Sequence, residues 1–345
     1  MSIKFLEPYL QRGSPLIIAE IGANYGGMDV VRAMVRGAAA CGVDMVKFQT
    51  YRAETIAAPD SFFTFEDGSR VSQFDFFKKY ELSKQHHEQL NTLCQELGLR
   101  WTSTPSHISD LDLLERFDLP CYKTGSDDIT NLPFLRDIAA KGRPMLVSTG
   151  MCTMQEIEAA VEAITAVGNN QLILLHCVVS YPSRPEDANL NVIKTLQEKF
   201  GFPVGLSDHT PNEFTSVLAT QMGAVVIEKH FTLDHALKLP DHEASLDPTE
   251  FSKLVERVRL VSQALGDGQK RILPTEEKWR EAARKSIFSL GQISRGKVIQ
   301  PEDMVLRRPS SGLHPHLLDQ IVGKVAIQDI PPNTPITWDM LSRDN

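Results

Sequence analysis

The strongest constraint on this chain is a rhythm. A short run of β-branched and apolar residues, followed by a segment of helical periodicity, recurs along most of its length. Such alternation marks βα units, which lay their strands parallel in one sheet with helices packed outside. Eight candidate strands fall at residues 16–22, 45–50, 100–105, 121–126, 144–150, 172–177, 204–209 and 225–231. Eight units in about 265 residues is the usual size of a (β/α)8 TIM barrel, an α/β fold; an open doubly wound sheet is the alternative. Helix starts are expected at Thr153…Glu156, Thr210…Glu213 and Asp247…Glu250, which have capping-box spacing, with Pro211 and Pro248 at first helical positions.

Two stretches break the rhythm. Residues 52–82 are too many for an ordinary βα loop and are expected to cover the barrel mouth; Phe62, Phe63 and Phe65 either close it or pack on its rim. After Gly266 the βα pattern stops. This divides the chain into a barrel domain (1–268), a charged linker (269–285) and a small β-rich domain (286–345). In the last, two similar segments, 293–299 and 330–336, put Gly296 and Asn333 where a turn calls for positive φ. Trp279 and Trp338 are expected to pack the linker and the small domain.

Composition narrows the partners. A net charge of −8 over 345 residues argues against a broad nucleic-acid or anionic-membrane surface, so an anionic ligand must be small and held by particular residues. The five cysteines, Cys41, Cys94, Cys121, Cys152 and Cys177, form no CxxC pair and sit in apolar segments, which suggests reduced thiols and a cytoplasmic setting. No window approaches the roughly 18 apolar residues of a membrane span.

Side chains alternate along a strand, so residues two apart share a face, and one face of a barrel strand points inward. At the C-terminal strand ends, where barrel active sites lie, this parity groups Lys47 with Gln49, Thr102 with Thr104, Ser207 with His209 and Glu228 with His230. Glu20, Lys123 and Ser148 end strands of their own. Charges inside a barrel need partners or ligands, so the set reads as an active site. His209 and His230, on consecutive strands, suit a divalent metal or are simply hydrogen-bonded interior histidines; Glu228 is a third ligand or, preferably, orients the site from behind. Either lysine alone is explained by snorkelling or by an ion pair with Glu20. Two ammonium groups about 6 Å apart repel by roughly 3 kcal/mol at an effective dielectric of about 20, so an anion is expected between them. Hydroxyls of Thr104, Ser126, Ser148 and Ser207, with the N–H groups of Gly125 and Gly150, suit phosphate or carboxylate oxygens.

The segments Ile18-Ala-Glu-Ile-Gly22, Val46-Lys-Phe-Gln-Thr50, Lys123-Thr-Gly-Ser126, Ser148-Thr-Gly-Met151, Gly205-Leu-Ser-Asp-His-Thr210 and Ile227-Glu-Lys-His-Phe-Thr232 resemble the sialic acid synthase family of N-acetylneuraminate, legionaminate and pseudaminate synthases. Arg307-Arg-Pro-Ser-Ser-Gly312 and Ile321-Val-Gly-Lys324 are similar to that family's antifreeze-like SAF domain. The resemblance implies condensation of phosphoenolpyruvate with an N-acetylmannosamine-type sugar and water. It implies phosphoenolpyruvate contacts at Lys47, Gln49, Thr104, Lys123, Ser126, Ser148 and Ser207, and a catalytic carboxylate at Glu20. Metal ligands fall on His209 and His230, for Mn²⁺ before Mg²⁺ or Co²⁺. Sugar contacts fall on Asp128, Tyr181 and Asp241, and Arg308 reaches a partner's site in a homodimer with exchanged C-terminal domains.

Three departures from the family pattern bear on the acceptor sugar: Tyr25 after Asn24 where a His is usual, Leu239 where a Gly precedes Pro-Asp-His242, and no clear sugar-binding Asn in 52–82. Two other readings stay open. One is a sibling enzyme using a phosphorylated sugar, for which only Arg143 and Arg184 offer further basic groups near strand ends. The other is a silent carbohydrate-binding scaffold.

Overall fold

The structure, a computed structural model, describes residues 3–22, 26–64, 68–237 and 240–342. Tyr25, Leu239 and Phe65 lie outside the described residues. The chain divides into two units, Met1–Gly266 and Asp267–Asn345.

The first unit is built on β1 (Leu16–Glu20), β2 (Met45–Thr50), β5 (Arg100–Pro105), β6 (Tyr122–Thr124), β7 (Met145–Ser148), β8 (Leu172–Cys177), β9 (Val204–Asp208) and β10 (Val226–His230). A hairpin of β3 (Phe62–Thr64) and β4 (Arg70–Ser72) belongs to the long excursion. The eight longer-range strands pair in parallel, in the order β5-β2-β1-β10-β9-β8-β7-β6. At the seam β5 and β6 run side by side, and Thr102 Oγ1 donates across it to the Cys121 carbonyl at 2.7 Å. The expected barrel is therefore the observed one.

Its interior follows the strand parity. Leu16, Ile18, Met45, Cys121, Leu146, Ile173, Leu175 and Val226 fill the lower barrel together with Ile3, Phe5, Leu6 and Tyr9 from the N-terminal segment, all buried. Gly205 is needed in this layer: a Cβ there would meet the Val226 carbonyl oxygen at 2.6 Å and Leu175 Cδ2 at 2.8 Å. The other strand face packs under the helices in a second, larger apolar cluster that includes Ile17, Ala19, Val46, Phe48, Val147 and Leu174.

Two capping boxes form as expected, at Thr153/Glu156 and Asp247/Glu250. The third does not. The helix Phe214–Gln221 begins later, its first amide bonded to Asn212 Oδ1 and with no cap from Glu213, because the Thr210 hydroxyl is taken up by buried Asp208 and Thr215. A buried carboxylate gains more from that hydroxyl than a helix end open to solvent. His87, in a polar-looking helix, is fully buried and bonds Thr50 Oγ1 at 2.8 Å through Nε2.

The second unit opens with the helix Pro274–Ala283, inside the stretch read as linker, and there Trp279 is 62% exposed instead of packed. The antiparallel pair β11 (Ser286–Ser289) and β12 (Met304–Arg307) follows. Ile287, Ile293, Ile299, Ile321, Ile330, Ile336 and Leu341 make its small core, and the two similar turns carry Gly296 at φ 86° and Asn333 at φ 60°.

Candidate active site

The upper barrel layer opens into a cavity of about 260 Å³. Of the residues singled out from the sequence, Glu20, Lys47, Gln49, Thr104, Lys123, Ser126, Ser148, Tyr181, Ser207, His209, Glu228 and His230 all line it. Most sit just above the apolar inner layer on the barrel strands, so the alternation that buries Ile18 or Val226 also turns Glu20 or Glu228 inward, while Ser126 and Tyr181 come from the segments that follow β6 and β8.

The charges pair with one another. Lys47 Nζ lies 2.6 Å from Glu20 Oε2 and 3.3 Å from Thr104 Oγ1. Lys123 Nζ donates to Ser148 Oγ at 2.7 Å. Between the two ammonium groups lies Glu228 Oε1, 3.8 Å from Lys47 Nζ and 3.6 Å from Lys123 Nζ, held by Ser207 Oγ at 3.1 Å. The anion expected between the lysines is thus present within the chain itself. The other oxygen of Glu228 is buried with no hydrogen-bond partner. Glu20 Oε1 accepts from Gly22 N and Gln49 Nε2, both at 3.0 Å, and a Cβ on Gly22 would sit 2.2 Å from that oxygen.

The two histidines stand together, ring centroids 5.3 Å apart, and Tyr181 packs against both at 4.2 and 5.8 Å. His209 Nδ1 lies 2.8 Å from the Val178 carbonyl oxygen, which only accepts, so Nδ1 carries the proton and Nε2 keeps its lone pair. His230 Nδ1 is buried without a hydrogen-bond partner, 3.7 Å from Asp241 Oδ2.

Residues 34–270 match the NeuB family and residues 284–342 the SAF domain. The N,N'-diacetyllegionaminic acid synthase of Legionella pneumophila is 36% identical over 95% of this chain and 96% of its own. The N-acetylneuraminate-9-phosphate synthase of Mus musculus is 34% identical over 91% of this chain and 89% of its own. Among solved structures, N-acetylneuraminic acid synthetase from Leptospira borgpetersenii, in complex with citrate, is 32% identical with a TM-score of 0.70, covering 77% of this chain and 90% of that one.

The chain belongs to the NeuB family. It is an enzyme of the sialic acid synthase type, with a barrel and a SAF domain.

Within this NeuB-family site, burial sets the protonation states. It raises the Glu20 carboxyl, against the pull of Lys47. On Glu228 burial acts the same way, but Lys123 and Lys47 outweigh it and hold the group below its ordinary value. Burial lowers Lys47 too, yet Glu20 and Glu228 more than reverse this, whereas Lys123 remains lowered. Both imidazoles are pushed down by burial, His230 furthest because His209 adds to the effect, so both are neutral and able to act as ligands. Asp241 is pushed up to about 7 by burial and by Glu20.

Asp128, Phe62 and Phe63 are not among the lining residues. Asp128 is drawn into a bond from Asn131 Nδ2 at 3.0 Å in the turn Ser126–Asp128, and it is Asp127 that lines the cavity. The mouth is covered from the long excursion by Ile56 and Phe77, while Phe62 is exposed beneath the Arg70 guanidinium and Phe63 packs on Phe76 and Phe77. Arg308 is an exposed residue of the second unit. Met151, Cys177 and Val179 also line the cavity. Met151 has φ 57° and is 69% exposed, two features that its apolar character alone did not signal.

Proposed function

We propose that this NeuB-family enzyme joins phosphoenolpyruvate to an N-acylated amino sugar of the N-acetylmannosamine type, with water, giving a nine-carbon 2-keto acid and inorganic phosphate. The observation that carries this reading is that Lys47, Lys123, His209 and His230 line one cavity. Lys47 and Lys123, with the hydroxyls of Thr104, Ser126, Ser148 and Ser207 and the Gln49 amide, hold the carboxylate and phosphate of the enol phosphate. A new bond joins its C3 to the sugar aldehyde carbon as the C=O π electrons pass to the aldehyde oxygen, which takes up a proton to become a hydroxyl. The positive charge left at C2 is captured by water, and phosphate leaves with the C2–O electron pair. Glu20, raised by burial, takes the proton from that water.

Charge balance supports a divalent cation. Two ammonium groups face three carboxyls, Glu20, Glu228 and Asp241, so a phosphoenolpyruvate anion of up to three charges finds little net attraction without protons or a metal. The neutral, lone-pair-bearing imidazoles of His209 and His230 fit such an ion, Mn²⁺ before Mg²⁺ or Co²⁺. Among the described residues no third His, Cys, Asp or Glu atom joins that pair closely enough to complete a three-ligand set, which leaves positions open for water and substrate. When bound, the ion supplies Lewis-acid polarisation of the aldehyde oxygen.

The acceptor reading rests on the cavity wall. Ile56 and Phe77 follow β2, Val179 and Tyr181 follow β8, and these strands are four places apart in the ring, so apolar groups face each other across the mouth, as acyl substituents need. A phosphorylated acceptor is disfavoured. Arg143 is bound to the Leu119 carbonyl and Asp118, and Arg184 to Asp187 outside the cavity. The SAF domain's Arg308 is proposed to complete a partner's site in a homodimer. The deciding experiment measures phosphate release from phosphoenolpyruvate with Mn²⁺ against N-acetylmannosamine, 2,4-diacetamido sugars and a 6-phosphorylated acceptor. Release with the unphosphorylated sugars, lost on chelation, is expected. Release only with the phosphorylated one, or no binding of phosphoenolpyruvate at all, overturns the proposal.

A further inference from the structure

Behind the histidine pair, on the outer face of the same two strands, lies a buried ionic cluster that the reaction does not use. Lys229 on β10 and Asp208 on β9 are direct cross-strand partners, Nζ 3.3 Å from Oδ2, and both are almost completely buried. Asp208 Oδ1 accepts from the Thr210 amide at 2.9 Å and the Thr210 hydroxyl at 2.8 Å. Asp208 Oδ2 accepts from Thr215 Oγ1 at 2.7 Å and Ser216 Oγ at 2.6 Å, which ties the strand end to the helix Phe214–Gln221. Lys229 Nζ also donates to the Thr210 carbonyl.

We infer that Asp208 and Lys229 are positioning residues that fix the spacing of His209 and His230 through the backbone. The bonds clamp residues 208 and 210 on either side of His209 and hold residue 229 next to His230, so the two strand ends cannot slide or splay independently. His230 depends on this most, because its own Nδ1 has no hydrogen bond to hold the ring. Stability alone does not explain the pair. A buried ion pair replaced by apolar groups of similar volume often leaves a protein as stable or more so, and in some proteins such a pair is kept for the geometry it fixes.

The inference rests on the proposed metal role of the histidines, and the test separates the two. Calorimetric Mn²⁺ titration of the full chain is compared for the unaltered protein, Lys229→Met, the milder Thr215→Val, its hydroxyl-retaining counterpart Thr215→Ser, and Leu111→Ala on the opposite side of the barrel as a control for lost stability. Groups hydrogen-bonded directly to metal ligands are worth about 10–100-fold in affinity, so Lys229→Met, which acts on the histidines through the backbone, is expected to raise the Kd by the low end of that range, about tenfold. Thr215→Val should raise it less, while Thr215→Ser and Leu111→Ala leave it near the unaltered value. An unchanged Kd in both Lys229→Met and Thr215→Val, or an equal rise in Leu111→Ala, overturns the positioning role alone. Failure of the unaltered chain to bind Mn²⁺ removes the metal reading and this inference with it.

Discussion

Lys47 and Glu20 form an ion pair with almost no solvent access, and Glu228 leans on the same ammonium group. Removing one member of a buried pair leaves the other charge uncompensated, at about 3–5 kcal/mol. Lys47→Met is therefore expected to lower unfolding stability by an amount of that order at pH 8. The loss should shrink toward acid pH as the orphaned carboxyls take up protons; urea unfolding at pH 8 and pH 5 measures it, and a pH-independent loss would contradict the pairing. Asp241 gives a second pH effect. Its folded pKa of about 7 lies above the roughly 3.9 of an unfolded Asp, so across that window the folded chain binds more protons. Stability from this group is full below about pH 4 and is lost as pH rises toward 7. In metal-free protein, Asp241→Asn should flatten the fall in Tm between pH 5 and pH 7.5; an identical slope in both proteins would remove Asp241 as its source.

Strands were easier to read than their surroundings. Period-two alternation is a property of the backbone, so placing Ile18 inward places Glu20 inward, and the same arithmetic turned Lys47, Lys123, Ser148, Ser207, Glu228 and His230 toward one cavity. Caps were less legible, because a capping side chain answers to whichever partner is nearer. Thr153 accepts from the Glu156 amide, whereas Thr210, in the same sequence spacing, serves Asp208. Thr153→Ala should cost about 1 kcal/mol, as for other N-caps, with no change in Mn²⁺ affinity. Thr210→Ala should weaken Mn²⁺ binding as well; parallel denaturation and calorimetry compare them, and equal behaviour would deny Thr210 its link to the histidine strands. The excursion was legible only as a cover. Which aromatic reaches the cavity depended on how the hairpin β3–β4 and the helix Gln73–Tyr80 pack, and that made Phe77 the lining residue in place of Phe62.

For the whole molecule, the reading that Arg308 serves a partner's site makes a prediction in trans. Arg308→Ala should raise the sugar KM far more than that of phosphoenolpyruvate. Subunit exchange between Arg308→Ala and Lys123→Met chains, each nearly inactive alone when the sugar is held well below saturation, should restore activity under that condition, because one mixed site regains both residues. No recovery despite proven exchange would place Arg308 outside the partner's site. Deleting residues 286–345 should abolish sugar turnover yet leave the barrel folded, as circular dichroism would report, since the two units have separate apolar cores.

By itself the sequence determined the eight βα units, the side of each strand that faces inward and the break near residue 266, because alternation and periodicity act between near neighbours in the chain. Only the tertiary structure decided that Glu228 lies between two lysines, that Asp127 and not Asp128 reaches the cavity, and that Asp208 and Lys229 lock together behind the histidines. These depend on distances between strands and loops far apart in sequence, fixed when buried charges settle on the nearest partner that offsets their lost hydration.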